Sequence, residues 1–165
     1  MKAILDASTI IAFFDELQDA AKLLLLRGLD CELLVPDYVY REEILREPSI
    51  GVLNKCIHDG SISILSPVDS TYVEDFQRQH PALDRGESEV ILNALIFQSS
   101  GEKVLCVLDE GPGRRVAKKL EIHTKGTLGV IAMLRKADLI DEVERNRLLD
   151  KLEASTFRVD KKLLR

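Results

Sequence analysis

The chain opens on MKAILDASTII, residues 1–11, and the reading of this stretch decides the fold. Residues 2–6, KAILD, are a short apolar run that ends in an acid. A run of this kind is a strand buried on both faces, and an acid at its end emerges where the sheet stops. The arrangement returns at residues 103–111, KVLCVLDEG, where Asp109 follows a second apolar run. In a parallel sheet both acids arrive at one edge, and such sheets build their sites just beyond the carboxyl ends of the strands.

The intervening sequence alternates between the two periods. Residues from about Ser8 to Asp15 start a helix, and about Leu17 to Arg27 read as a further helical segment. CELLVPD (31–37) predicts a second strand, and Pro36-Asp37 opens a helix through about Arg46, because Pro and Asp suit a first turn. SISILSPVD (61–69) predicts a strand, and about Ser70 to His80 a helix. GESEVILNALIFQSSG (86–101) predicts a helix with acids in its first turn and Gly101 as its stop. GRRVAKKLE (113–121) is helical, IHTKGT (122–127) a short strand or loop, LGVIAMLRKADLI (128–140) helical, and a last helix covers about Asp141 to Leu152. This alternation predicts an α/β fold, three layers α/β/α around a mostly parallel central sheet, as a single domain over residues 1–165.

Composition agrees. With 165 residues, 45% hydrophobic and 31% charged, the chain is long and apolar enough for one core and is not a disordered sequence. No apolar run approaches the roughly 18 to 20 residues of a membrane span. AAKLLLLRGLD (20–30) contains Lys22 and Arg27 and reads as amphipathic. The N-terminus lacks the long apolar run and cleavage site of a signal peptide. Cys31, Cys56 and Cys106 are an odd set without C-x-x-C spacing, which predicts buried free thiols and a cytoplasmic protein. The net charge of −5 argues against gripping nucleic acid by charge alone. It allows acids screened by cations, and it suits a basic protein partner.

Two further segments bring acids to the same edge: Glu42 and Glu43 on the helix after LLVP, and Glu87 and Glu89 on the helix after LDRG. Buried like charges cost several kcal/mol each unless something pairs with them. Arg41, Arg85, Arg114 and Arg115 are the cations at hand. A divalent ion is the simpler partner, and hard oxygen ligands select Mg²⁺ or Mn²⁺. Each acid alone has an ordinary explanation. Asp6, Ser8 and Thr9 suit helix caps. Glu42 and Glu43 suit a solvated face, and Glu87 and Glu89 suit the positive end of a helix. Asp109 and Glu110 suit a turn before Gly111-Pro112-Gly113. The joint pattern carries the functional reading.

Taken in order, ILDASTII, VPDYVYREEI, LDRGESEVILNAL and VLDEGPGRRVAKKLEIHTKGTLGVI resemble the four motifs of PIN-domain nucleases, in the VapC-like subgroup with GExE and GTLG. The resemblance runs from Asp6 to the FRVDKKLL tail. It implies a metal-dependent endoribonuclease using Mg²⁺ or Mn²⁺, with RNA as substrate. Many members are toxins, which implies a small antitoxin protein as partner. Apolar faces at Leu23 to Leu26 and in RLLDKLEASTF (147–157), together with the resemblance, predict a homodimer.

By this resemblance Asp6, Glu87 and Asp109 bind a first ion, and Glu42, with Glu89 or Glu110, helps a second ion or orients a water. V-Y-x-E spacing points to Glu42, whereas the helical wheel points to Glu43. Strand position selects Asp109, and spacing to the next helix selects Glu110. Ser8 or Thr9 would hold a metal water or a phosphate oxygen, and Arg114 or Arg115 the phosphate backbone. Lys125 and Thr127 are further substrate contacts. His58, His80 and His123 are scattered without a nucleophile, and G-x-S-x-G and the Walker A loop are absent. A non-catalytic module of the same fold, binding RNA or protein, is the alternative. A haloacid-dehalogenase-like phosphohydrolase also starts at a strand-end Asp, but Ser8 stands at the third place of its D-x-D motif.

Overall fold

The computed structural model describes residues 1–109 and 111–155. Glu110 and the FRVDKKLL segment lie outside the described residues. Strands β1 (Lys2–Leu5), β2 (Glu32–Val35), β3 (Ser63–Ile64), β4 (Val104–Val107) and β5 (Thr124–Lys125) form one sheet in the order β3-β2-β1-β4-β5. Every pairing is parallel. Residues 3–5, 33–35 and 104–107 are buried, as strands covered on both faces require. Helices surround the sheet in a three-layer α/β/α arrangement.

The strand order positions the site. From β1 the chain steps outward to β2 and β3, then crosses to the other side of β1 for β4 and β5. The direction of winding reverses between β1 and β4, which is where an open parallel sheet leaves a crevice. Leu5 pairs with Val107, and the Asp6 amide donates to the Val107 carbonyl at 3.1 Å. Asp6 therefore leaves the sheet beside the end of β4, just before Asp109.

Helix α1 (Ala7–Ile11) runs directly into a wide π-helical turn, Ala12–Glu16. The chain then breaks at Gln18, whose φ is +50°, before α2 (Ala20–Leu24) and its 3-10 extension Leu25–Leu29. The expected helix over 17–27 is thus shorter and starts later. The segment after Pro36 forms a second π-helical turn, Val39–Ile44. Helices α3 (Ile50–His58), α4 (Ser70–Gln79), α5 (Arg85–Ser99), α6 (Gly111–Lys119), α7 (Thr127–Lys136) and α8 (Glu142–Ala154) follow. The sequence reading assigns no element at α3. Its cap residue, Ser49, makes no side-chain capping bond, and only Leu53 and Cys56 are buried on it. By contrast α4, α5 and α8 each start at an aspartate, Asp69, Asp84 or Asp141, that accepts a bond from a first-turn amide.

Part of the leucine-rich faces that suggested a dimer packs into this chain's own core, with Leu24 and Leu25 partly buried against it. Leu23, Leu26, Leu148 and Leu152 are fully buried. Helix α8 is tied down by Lys22 to Glu144 at 2.7 Å, Arg147 to Asp19 at 2.6 Å, and Lys151 Nζ to the Leu17 carbonyl at 3.1 Å. Cys31, Cys56 and Cys106 are buried free thiols. No helix among the described residues is long and apolar enough to cross a membrane.

Candidate active site

Asp6 follows β1 at the N-cap position of α1, with extended backbone, yet its side chain makes no capping hydrogen bond. Its Oδ2 accepts from Ser8 Oγ at 2.7 Å. The carboxyl is only 5% exposed, and burial pushes its pKa up to about 6. Ser8 and the Ala7 and Ser8 amides oppose that shift, while the charge of Asp84 adds to it.

Of the two acids in the π-helical turn, the structure brings Glu43 to the site. Glu42 is exposed. A turn that closes from i to i+5 puts Val39 over Glu43 and Ile44 and swings Glu42 outward. Glu43 lies against Gly86: a Cβ there would meet Glu43 Oε1 at 2.2 Å. Burial first, then the charges of Asp6, Asp84, Glu87 and Glu89, push Glu43 up to about 8.

Glu87 closes a capping box with Asp84. Asp84 Oδ1 accepts from the Glu87 amide at 2.8 Å, and Glu87 Oε2 accepts from the Asp84 amide at 3.2 Å. Glu87 Oε1 also accepts from the Gly113 amide at 2.9 Å, so one carboxylate ties the start of α5 to the first turn of α6. Burial raises its pKa despite these bonds. Glu89, two residues on, meets different partners. Arg85 Nε stands 3.5 Å from its Oε1, and the Tyr38 backbone also favours its charged form. Its Oε2 is buried without a hydrogen-bond partner.

Asp109 has a third kind of surrounding. Oδ1 accepts from the Thr127 amide at 2.7 Å, and Oδ2 accepts from Thr127 Oγ1 at 2.6 Å and Thr9 Oγ1 at 3.2 Å. Gly126, the N-cap of α7, has no side chain of its own to cap with, and Asp109 does this across the chain. Thr9 and Thr127 are fully buried in that bond set.

Three glycines make these contacts sterically open. A Cβ at Gly86, Gly113 or Gly126 would meet a carboxylate oxygen of Glu43 at 2.2 Å, Glu87 at 2.5 Å or Asp109 at 2.6 Å. The G of GESE, the second G of GPG and the G of KGT are therefore carboxylate seats.

The PIN-domain family model matches residues 2–165. The chain belongs to the PIN-domain family. No curated protein matches it. In this PIN domain Ser8 stands on Asp6, whereas Thr9 and Thr127 serve Asp109. Arg114 and Arg115 are exposed on α6, and a Cβ at Gly111 would meet Arg115 Nη1 at 3.0 Å. Lys125 packs its stem toward Gly129. Glu110 lies outside the described residues.

The sequence reading missed Asp84 and the three glycine seats. Asp84 was legible, because D-x-x-E before an apolar run is a capping box. The seats were not, because each glycine and its carboxylate are distant in sequence. The donor chemistry fits a hard divalent ion: carboxylate oxygens with raised pKa values and few cations among them. Among the described residues, however, no three His, Cys, Asp or Glu stand together as a preformed metal group.

Proposed function

We propose that the chain is a divalent-metal-dependent endoribonuclease that hydrolyses RNA phosphodiester bonds, with Mg²⁺ or Mn²⁺ as cofactor. The observation that carries this is the strain on Glu43, whose pKa is driven to about 8 by burial among four other carboxylates. Such an arrangement of like charges favours a cation. Asp6, Glu43 and Glu87 are the residues to hold it. Bound there, the ion would supply an acidic water and stabilise charge on the scissile phosphate.

The chain's own residues do the rest. Ser8 fixes Asp6 through Oδ2. Glu43, whose pKa burial and like charges push up to about 8 in the metal-free chain, would give up its proton on taking the ion. Glu87 fixes the starts of α5 and α6. Asp109 holds α7 through both oxygens, and Oδ1, which accepts only the Thr127 amide, keeps a lone pair for a direct or water-mediated contact with an ion. Helix α6 exposes Arg114, Arg115, Lys118 and Lys119 with no ion pair among the described residues, which suits a phosphate backbone in a chain of net charge −5. The cytoplasmic, homodimeric toxin reading, with a small antitoxin as partner, rests on the likeness of the four motifs to VapC-like proteins.

A non-catalytic RNA- or protein-binding module is the second reading. It is favoured by the engaged state of Asp109 and by the absence of a preformed metal group among the described residues. Mn²⁺ calorimetry on wild type and Asp6→Asn, alongside cleavage of labelled RNA, separates the two. Binding and cleavage that both fail in Asp6→Asn support the nuclease. A wild type that binds RNA but neither binds Mn²⁺ nor cleaves the RNA supports the module.

A further inference from the structure

Arg85 is held in an unusual way. Its guanidinium lies over the Tyr38 ring, 4.9 Å from the centroid, and its Nε meets buried Glu89 at 3.5 Å, the outer limit of a hydrogen bond. Among the described residues the Nη groups have no hydrogen-bond acceptor, although guanidinium offers five N–H donors. Glu89 in turn keeps Oε2 buried and unpaired. This is an aimed but under-committed cation: stacked, tethered at one nitrogen, and 38% exposed.

Its position explains what it is for. Glu87 ties the Asp84 amide to the Gly113 amide, and Arg85 and Arg114 are the residues immediately following those two donors. Glu87 thus lies between the start of α5, where Arg85 stacks on Tyr38, and the first turn of α6, where Arg114 and Arg115 are exposed. We propose that Arg85, stacked on Tyr38 and tethered by Glu89, forms a phosphate subsite for the RNA strand at the α5 end of the acidic site. The inference rests on the ribonuclease reading and adds a substrate contact to it. A stacked guanidinium presents its fork of Nη donors to a phosphate, which a lysine cannot reproduce.

The test measures fluorescence anisotropy of a labelled single-stranded RNA in EDTA, over a range of salt. Arg85→Ala alone leaves Glu89 buried without its cation, so Arg85→Ala/Glu89→Gln is compared with Glu89→Gln. We expect affinity to fall about tenfold with the arginine. The slope of log affinity against log salt should shrink by about 0.7, the value for one single-strand phosphate contact. Arg85→Lys should recover the slope and not the full affinity. Unchanged affinity and slope in the double variant, with a reference that binds RNA, overturns the subsite and leaves the ribonuclease reading standing. A wild type that binds no RNA in EDTA overturns the subsite, and cleavage of the same RNA with Mn²⁺ decides the ribonuclease reading separately.

Discussion

The carboxylate of Glu43 rests on the backbone of Gly86, so closely that a Cβ would come within 2.2 Å of Oε1. The obstructing atoms belong to the end of a flexible side chain, so an added methyl displaces the carboxylate and not the fold. Alanine is also the better helix former by about 1 kcal/mol. We expect Gly86→Ala to melt at or slightly above the wild-type temperature while losing at least about tenfold in Mn²⁺ affinity and RNA cleavage, a change of about 1.4 kcal/mol in binding. Wild-type Mn²⁺ affinity in this variant would remove Glu43 from the site.

Glu43 also sets a pH dependence. Its folded pKa of about 8 lies above the ordinary 4.5, so the metal-free folded state holds a proton that the unfolded chain releases. Stability from this group is complete below about pH 4.5 and falls as pH rises to about 8. Glu43→Gln should therefore stabilise the metal-free protein at pH 8 by about 1–3 kcal/mol and leave it unchanged near pH 4. Thermal melts in EDTA across this range check both ends. In the wild type, added Mn²⁺ should raise the melting temperature more at pH 8 than at pH 6, because ligands must be deprotonated.

Glu144 behaves oppositely. Hydrogen bonds from Arg147 and Lys22 lower its pKa from 4.5 to about 2. Its stabilisation is present above the unfolded value and lost as pH falls through the folded one. Its side chain is 24% exposed, so solvent screening reduces the benefit to about 1 kcal/mol. Glu144→Gln should lower stability by that amount at pH 7, with the difference vanishing near pH 2. Urea melts at the two ends measure it.

Asp109 distinguishes holding from ligating. Asp109→Ala strands the Thr127 amide and two buried hydroxyls, and we expect a loss of about 2–4 kcal/mol. Asp109→Asn retains an acceptor for the Thr127 amide and should cost about 1 kcal/mol or less. If Asp109 acts mainly by holding α7, Mn²⁺ affinity survives in Asp109→Asn and is lost in Asp6→Asn. Calorimetry on both variants, each verified as folded, gives the answer.

Much of the architecture was legible because it depends on local signals. Apolar runs at 2–5, 32–35 and 104–107 marked buried strands, and helical patterning marked α4, α5 and α8 to within a few residues of their observed starts. The signals failed where the backbone departed from regular geometry. The π-helical turn at Val39–Ile44 leaves Glu42 exposed, against the V-Y-x-E spacing and with the helical wheel, and positive φ at Gln18 delays to Ala20 a helix expected from about Leu17.

The sequence by itself determined that this is a parallel α/β protein with acids at its strand ends, because strand period, helix caps and strand-end polarity act over a few residues. Tertiary structure decided what each acid does. Glu87 finds its amide 26 residues away at Gly113, and Asp109 meets Thr127 at 18 residues and Thr9 at 100. A carboxylate's chemistry depends on burial and on the donors and charges that surround it, and those were supplied by segments brought together only when the sheet closed between β1 and β4.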